Sequence, residues 1–342
     1  MNNLNLSIDN CYIIFYSFLF SVIFLTFHNK ISKIIGIYDE VDNKRKIHKK
    51  RVPITGGIYF FLSLLILVLF RENSENFSIV DLFSNHFNFY FFGLPLFLIF
   101  MLGLVDDKKD ISANSKLLFS IFIIFIATII DSQLLISELR FNSLELELNI
   151  FSYRFLFTIL CFLLFLNACN MFDGIDGQSS LYFIFLLVYI QFIIGFSLFL
   201  FLLSMILCCF LYLNLNSKSY LGDGGVYLIS FLLSCIIIKN YNLNNFYCDQ
   251  IFLLMFIPGI DLLRLAMQRI IKKRHPFSPD NLHLHHLLLR RFSKAKTVFI
   301  IFLLISIPNI LAVILNDYLF FLGLSFVIYT FIIFLNLKIN HK

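Results

Sequence analysis

Eleven runs of mostly apolar residues, each close to the length a helix needs to cross the hydrocarbon of a bilayer, leave few folds open to this chain. They lie near 11–28, 54–70, 89–105, 115–131, 154–170, 179–196, 197–213, 224–240, 250–271, 297–315 and 318–336. Crossing the hydrocarbon takes about 20 helical residues. Backbone polar groups there must be satisfied internally, which leaves helices or closed barrels. With 59% of 342 residues hydrophobic and 14% charged, the apolar content exceeds what a soluble core of this length hides. The expectation is an all-α, polytopic integral membrane protein of about eleven transmembrane helices, one domain over 1–342. The sixth and seventh runs are divided only by Gln191, Gly195 and Ser197.

Eleven crossings place alternate connections on opposite sides, so the cations test the division. Twenty-three of the 27 Lys and Arg fall on one side, among them the 44–51 cluster, Lys108, Lys109, Lys116, Lys218, and the residues between Arg264 and Lys296. Only Arg71, Arg140, Arg154 and Lys239 fall on the other. Positive residues stay cytoplasmic, which puts the N-terminus outside and the C-terminus inside. The first run has no basic residue before it and no small-residue cleavage site after it, and reads as a retained helix. Seven cysteines, mostly within apolar runs, predict neither a disulfide framework nor a zinc site. Between 132 and 153, on the outer side, Leu144 to Ile150 alternates with period two behind an Asn142-Ser143 turn. That pattern fits a small extracytoplasmic hairpin as well as an irregular loop.

The polar residues that interrupt this pattern gather on the cytoplasmic side. Asn167-Ala168-Cys169-Asn170-Met171-Phe172-Asp173-Gly174-Ile175-Asp176-Gly177 sets two carboxamides three apart, then two carboxylates three apart beside glycines, where the fifth run ends. Asp106-Asp107 ends the third run, Gly222-Asp223-Gly224-Gly225 opens the eighth, and a loop from Pro276 to His286 carries His283, His285 and His286. Singly, the aspartates fit helix caps or polar turns, and the histidines fit a solvated loop or a zinc site. Together, at the ends of different helices on one face, they fit a metal-bound pyrophosphate. Hard oxygen ligands suit magnesium, which keeps waters and is shared between a few carboxylates and substrate phosphates; imidazoles beside cations suit phosphate oxygens. Within the ninth run, Asp261 stands three residues before Arg264, where the two can pair on one helical face with Gln268 extending the stripe; a structural ion pair is the expectation and an active-site role the alternative. Pro258-Gly259 predicts a kink there.

These residues, with His48 and Pro53-Ile54-Thr55-Gly56-Gly57, resemble the polyprenyl-phosphate N-acetylhexosamine-1-phosphate transferases over nearly the whole chain. That family includes the peptidoglycan phospho-N-acetylmuramoyl-pentapeptide transferase and the enzymes that begin O-antigen and related polymers. The resemblance implies a bacterial inner-membrane enzyme whose cytoplasmic, magnesium-dependent site also accepts manganese. The reaction would be transfer of N-acetylhexosamine-1-phosphate, GlcNAc-1-phosphate foremost, from a UDP-sugar to undecaprenyl phosphate with release of UMP. Carried over by motif, Asp223 is the metal ligand with Asn170 beside it, and Asp106 and Asp107 handle the lipid phosphate, Asp106 as the base. Asp173 and Asp176 join Asn170 on the nucleotide and metal side. Asn167, His48, Lys116, His283, His285 and His286 bind substrate. Implied partners are undecaprenyl phosphate, the UDP-N-acetylhexosamine and membrane lipid, with no nucleic acid; a homodimer stays open.

The chain departs from the family pattern at Val226, where Ser is usual, and at Gln178, where Leu is usual. Asn214 is an uncertain match because the stretch before Asp223 is short by one. His-Leu-His-His is closer to the GlcNAc-1-phosphate branch than to the peptidoglycan enzyme, which remains the alternative. In another class, an ion-coupled transporter also carries membrane carboxylates, but near the midplane of paired, interrupted helices and often with an internal repeat. No repeat is evident here, and the acids sit at one surface.

Overall fold

The computed structural model describes residues 8–40, 51–69, 86–276 and 280–337. His48, the basic residues 44–50, and 277–279 of the His-bearing loop lie outside the described residues. The chain forms a helical bundle, α1 (Ile8–Ile35), α2 (Gly56–Leu69), α3 (His86–Lys109), α4 (Ala113–Ile130), α5 (Arg154–Phe172), α6 (Gln178–Ile194), α7 (Leu198–Leu215), α8 (Gly222–Asn242), α9 (Cys248–Leu254), α10 (Phe256–Ile271), α11 (Leu284–Leu289), α12 (Lys294–Leu315) and α13 (Tyr318–Leu337). Each of the eleven apolar runs falls on a helix, the ninth on the pair α9 and α10. Among the described residues, seven helices are long and apolar enough to cross a membrane, and up to eight if the bent pair is one span. α2 and α6 are shorter apolar helices. The protein is a mostly helical, multi-pass membrane protein.

α8 is the axis of the bundle, with 89% of its apolar window buried, and α2, α3, α5 and α6 pack around it. In lipid, helices gain little from burying apolar surface and associate by close packing, so small residues mark their crossings. Gly103 of α3 is such a crossing: a Cβ there would lie 2.5 Å from the carbonyl carbon of Asp223. The contact brings the carboxylate end of α3 against the first turn of α8. Ahead of α2, Ile54 pairs in parallel with Tyr220, while Gly56 and Gly57 donate backbone hydrogen bonds to the Tyr220 and Leu221 carbonyls at 3.0 Å. The Pro53 to Gly57 stretch is thereby fastened to the chain entering α8.

α9 and α10 meet at Met255 with a bend of 74°. The break expected at Pro258-Gly259 falls three residues earlier. Pro258 sits in the first turn of α10, where its missing N–H has no intrahelical partner to lose. The carbonyls freed at the bend are taken by Tyr182 Oη on Leu254 (3.2 Å) and Asn309 Nδ2 on Leu253 (3.4 Å).

At the other end of the bundle the expected hairpin is present, β3 (Glu138–Phe141) against β4 (Leu146–Asn149), antiparallel, preceded in the chain by a two-residue pair, β1 (Tyr38–Asp39) with β2 (Val52–Pro53). The turn takes four residues, Asn142 to Glu145, where a two-residue Asn142-Ser143 turn was expected. The fully buried Asp249 accepts the N–H groups of Asn142 (3.2 Å) and Ser143 (2.9 Å), which holds the turn open against α9. All seven cysteines are unpaired.

Candidate active site

The C-terminal end of α3, the loop after α5, the start of α8 and the segment around α11 converge at one end of the bundle. They enclose a cavity of about 300 Å³ lined by Asp107, Asp173, Asp176, Asp223 and His286, together with Asp39, Asn214, Tyr220 and Lys294. Of the motif carboxylates, Asp107 and Asp223, 116 positions apart in sequence, thus share one wall, the convergence the motifs predict.

Each acid is held differently. Asp107 Oδ1 accepts the Asp223 N–H at 2.7 Å and Oδ2 the Gly224 N–H at 3.0 Å, so α3 caps the N-terminus of α8 with a carboxylate, where the helix dipole favours negative charge. The cap reading of this acid is realised, and the same residue lines the cavity. Asp106, one residue earlier, does not line the cavity. Its Oδ2 accepts from Lys116 Nζ at 2.5 Å and its Oδ1 from the Ile111 N–H at 2.6 Å. Lys116 reaches Asp223 Oδ2 as well, at 3.4 Å, and so bridges the two acids. Asp173 follows the last turn of α5, and burial first, then the neighbouring Asp176, pushes its carboxyl up to about 6. Asp176 accepts from both Lys294 Nζ and Ser217 Oγ.

The histidines stand in layers. His286 is on the cavity wall. His285 is buried against Gly174, where a Cβ would lie 2.0 Å from its Nε2; only glycine between the two acids of that loop lets the ring in. His283 is set back, its Nδ1 2.9 Å from Asp261 Oδ2. Burial pushes the pKa values of His285 and His286 down, with the neighbouring histidines adding to the effect, so both rings are neutral at pH 7. Asp261 does pair with Arg264 (2.7 Å), which reaches Gln268 at 3.5 Å. It also takes the Tyr329 hydroxyl at 2.7 Å and the Leu284 N–H at 3.2 Å, and so anchors the start of α11. Ahead of it, Arg269 Nε donates to Asp280 Oδ2 at 2.8 Å, tying Asp280 to α10.

Two of the expected substrate residues stand apart. Asn167 donates to the Leu163 carbonyl of its own helix at 2.7 Å, and Asn170, half-buried, is not on the cavity wall. Asn214, an uncertain match by sequence, is in the wall and structural there: its Oδ1 accepts from the Gly177 N–H (2.9 Å) and Ser180 Oγ (3.0 Å). Lys294, Tyr220 and Asp39 carried no motif. Lys294 was legible only as one more positive charge on the cytoplasmic side, and Tyr220 only as a neighbour of Gly222-Asp223. Among the described residues no three His, Cys, Asp or Glu form a ready-made metal cage.

The protein is thus a polytopic helical bundle with an acid-lined cavity where helix ends meet. Residues 89–240, which include three of the four polar clusters, match the family described as Glycosyl transferase family 4. The chain is 29% identical over 316 residues, 88% of its length and 81% of the relative's, to the undecaprenyl-phosphate alpha-N-acetylglucosaminyl 1-phosphate transferase of Escherichia coli (strain K12). The protein of the same name from Thermotoga maritima is 29% identical over 289 residues, 82% of each chain. That from Salmonella typhimurium is 27% identical over 297 residues, 83% of this chain and 77% of the relative. The resemblance drawn from the motifs is borne out: over most of its length the chain is similar to enzymes of that name.

Proposed function

We propose that this protein transfers GlcNAc-1-phosphate from UDP-GlcNAc to undecaprenyl phosphate, releases UMP, and so starts a lipid-linked cell-surface polysaccharide such as O-antigen. The observation that carries the reading is the shared wall of Asp107, Asp173, Asp176, Asp223 and His286 in a chain alike over most of its length to enzymes of that name. An oxygen of the lipid phosphate attacks the β-phosphorus of the donor; the bond from that phosphorus to the bridging oxygen breaks, and the bridging oxygen leaves with UMP. Asp106 keeps the lipid phosphate deprotonated, with Lys116 turning from it to the incoming phosphate. His285 and His286, being neutral, act as hydrogen-bond partners of phosphate and sugar oxygens rather than as charges.

The donor set fits magnesium. Asp223 is the principal ligand, with Asp173 facing the same cavity, and both offer hard oxygen without closing a cage, which suits an ion that keeps waters and completes its shell on phosphates. When bound, such an ion neutralises charge on the diphosphate and the leaving UMP. An apolar cavity of about 470 Å³ between α5, α8 and the bent pair, walled by Phe157, Phe165, Ile238, Phe252, Met255 and Leu263, suits a polyprenyl chain. In this reading the eleven apolar runs cross the bacterial inner membrane, and the distribution of Lys and Arg supports an N-terminus outside and an acidic cavity facing the cytoplasm.

The test is a panel: purified protein with magnesium and undecaprenyl phosphate, offered UDP-GlcNAc, other UDP-N-acetylhexosamines and UDP-N-acetylmuramoyl-pentapeptide, with UMP release measured. Release with UDP-GlcNAc is expected. Release from the pentapeptide donor alone, or from none, overturns the reading.

A further inference from the structure

Five carboxylates line the cavity, Asp39, Asp107, Asp173, Asp176 and Asp223, and among its described lining residues Lys294 alone carries a permanent positive charge. Lys116 stands behind the wall, shared between Asp106 and Asp223. Lys294 is the first residue of α12, and that helix contributes nothing else to the cavity. Its ammonium donates to Asp176 Oδ2 and, at 3.4 Å, to Ser217 Oγ, which donates to the same carboxylate oxygen. Asp176 is nearly covered, its side chain 6% exposed, whereas the lysine side chain keeps 34% of its surface open. The cation is therefore the accessible member of the pair, on a flexible stem that moves a compact charge. Ser217 remains as a donor to Asp176 if the ammonium leaves.

A nucleoside diphosphate brings several negative charges against this acidic wall, and like charges at close range inside protein repel strongly. We propose that Lys294 is a phosphate-binding residue of the donor subsite, exchanging its bond to Asp176 for one to a diphosphate oxygen of the incoming nucleotide. The inference rests on the cavity being a uridine-nucleotide site. It adds a residue outside every motif of the sequence and makes α12 part of the site.

Binding of uridine, UMP and UDP to the full-length protein in detergent, by calorimetry, separates a phosphate contact from a role confined to holding Asp176. Lys294→Gln is expected to weaken UDP by about tenfold or more and UMP by less, with uridine within about twofold of wild type. Lys294→Arg, which keeps the charge, is expected to retain most of the UDP affinity and keeps the proposal testable if the glutamine variant melts early. An equal loss for uridine and UDP overturns the phosphate contact, as does UDP affinity unchanged in Lys294→Gln. If the wild-type protein binds none of the three, the nucleotide reading of the cavity falls and takes this role with it. If it binds UDP and the variant binds it equally well, only the role of Lys294 falls.

Discussion

Asp223 is the residue on which most of the site depends, because its backbone N–H donates to Asp107 Oδ1 while its side chain meets Lys116 and the cavity. Asp223→Asn keeps the shape and the helix start but removes the charge. It is expected to lower transfer by at least about 100-fold with the melting temperature little changed; full activity with magnesium present would refute the assignment. The acidity of Asp173 adds a pH dependence. A carboxyl raised to about 6 holds its proton more tightly than an ordinary aspartate, and a divalent ion must displace that proton. The magnesium concentration for half-maximal UMP release should therefore fall as pH rises from 5.5 to 7.5, and a value independent of pH would contradict the placement of Asp173 beside the ion. At Gly174 the constraint is steric. Gly174→Ala sets a methyl 2.0 Å from a buried imidazole and is expected to lower transfer by about tenfold or more by displacing His285.

Between elements, the site depends on how α3, α8 and α11 are positioned. Gly103→Ala sets a methyl 2.5 Å from the Asp223 backbone and must push α3 away from α8. The expected outcome is loss of both thermal stability and transfer, since Asp106 and Asp107 then separate from Asp223. The His-bearing segment hangs on Asp261, which is buried and serves Arg264, His283, Tyr329 and the Leu284 N–H. Removing one partner of such a group costs about 3–5 kcal/mol, so Asp261→Ala should melt well below wild type and lose activity together. Tyr329→Phe, which removes the hydroxyl that donates to Asp261 Oδ1 and accepts from Arg264 Nε, both at 2.7 Å, should cost about 2–3 kcal/mol. Much of this level was legible in the sequence. Apolar runs such as 115–131 and 154–170 found α4 and α5 nearly to the residue, because in lipid length and apolarity decide. Gly195, at φ 94°, does divide α6 from α7. The bend at Met255 was displaced from the proline that flagged it, since the bend depends on Tyr182 and Asn309, distant in sequence, to take the freed carbonyls.

Over the whole molecule, four separate motifs were readable as one site because each carried chemistry out of place at a membrane helix end. Lys294 and Tyr220 were not, because neither residue type is unusual where it stands and only the meeting of α12 with the loops before α6 and α8 gives them a role. Asn167 shows the converse, a motif residue whose side chain turns back on its own helix. On the orientation proposed from the distribution of Lys and Arg, a reporter that works only in the cytoplasm is expected to be active when fused after residue 342 and one that works only in the periplasm to be silent, and the reverse would invert the scheme. Transfer itself is measured with UDP-GlcNAc labelled in its β-phosphate, purified protein, magnesium and undecaprenyl phosphate. The label is predicted to pass into the lipid fraction as a diphosphate-linked sugar while unlabelled UMP appears in equal amount, and not to do so with Asp223→Asn. Label that stays with the nucleotide or emerges as free phosphate would contradict the account.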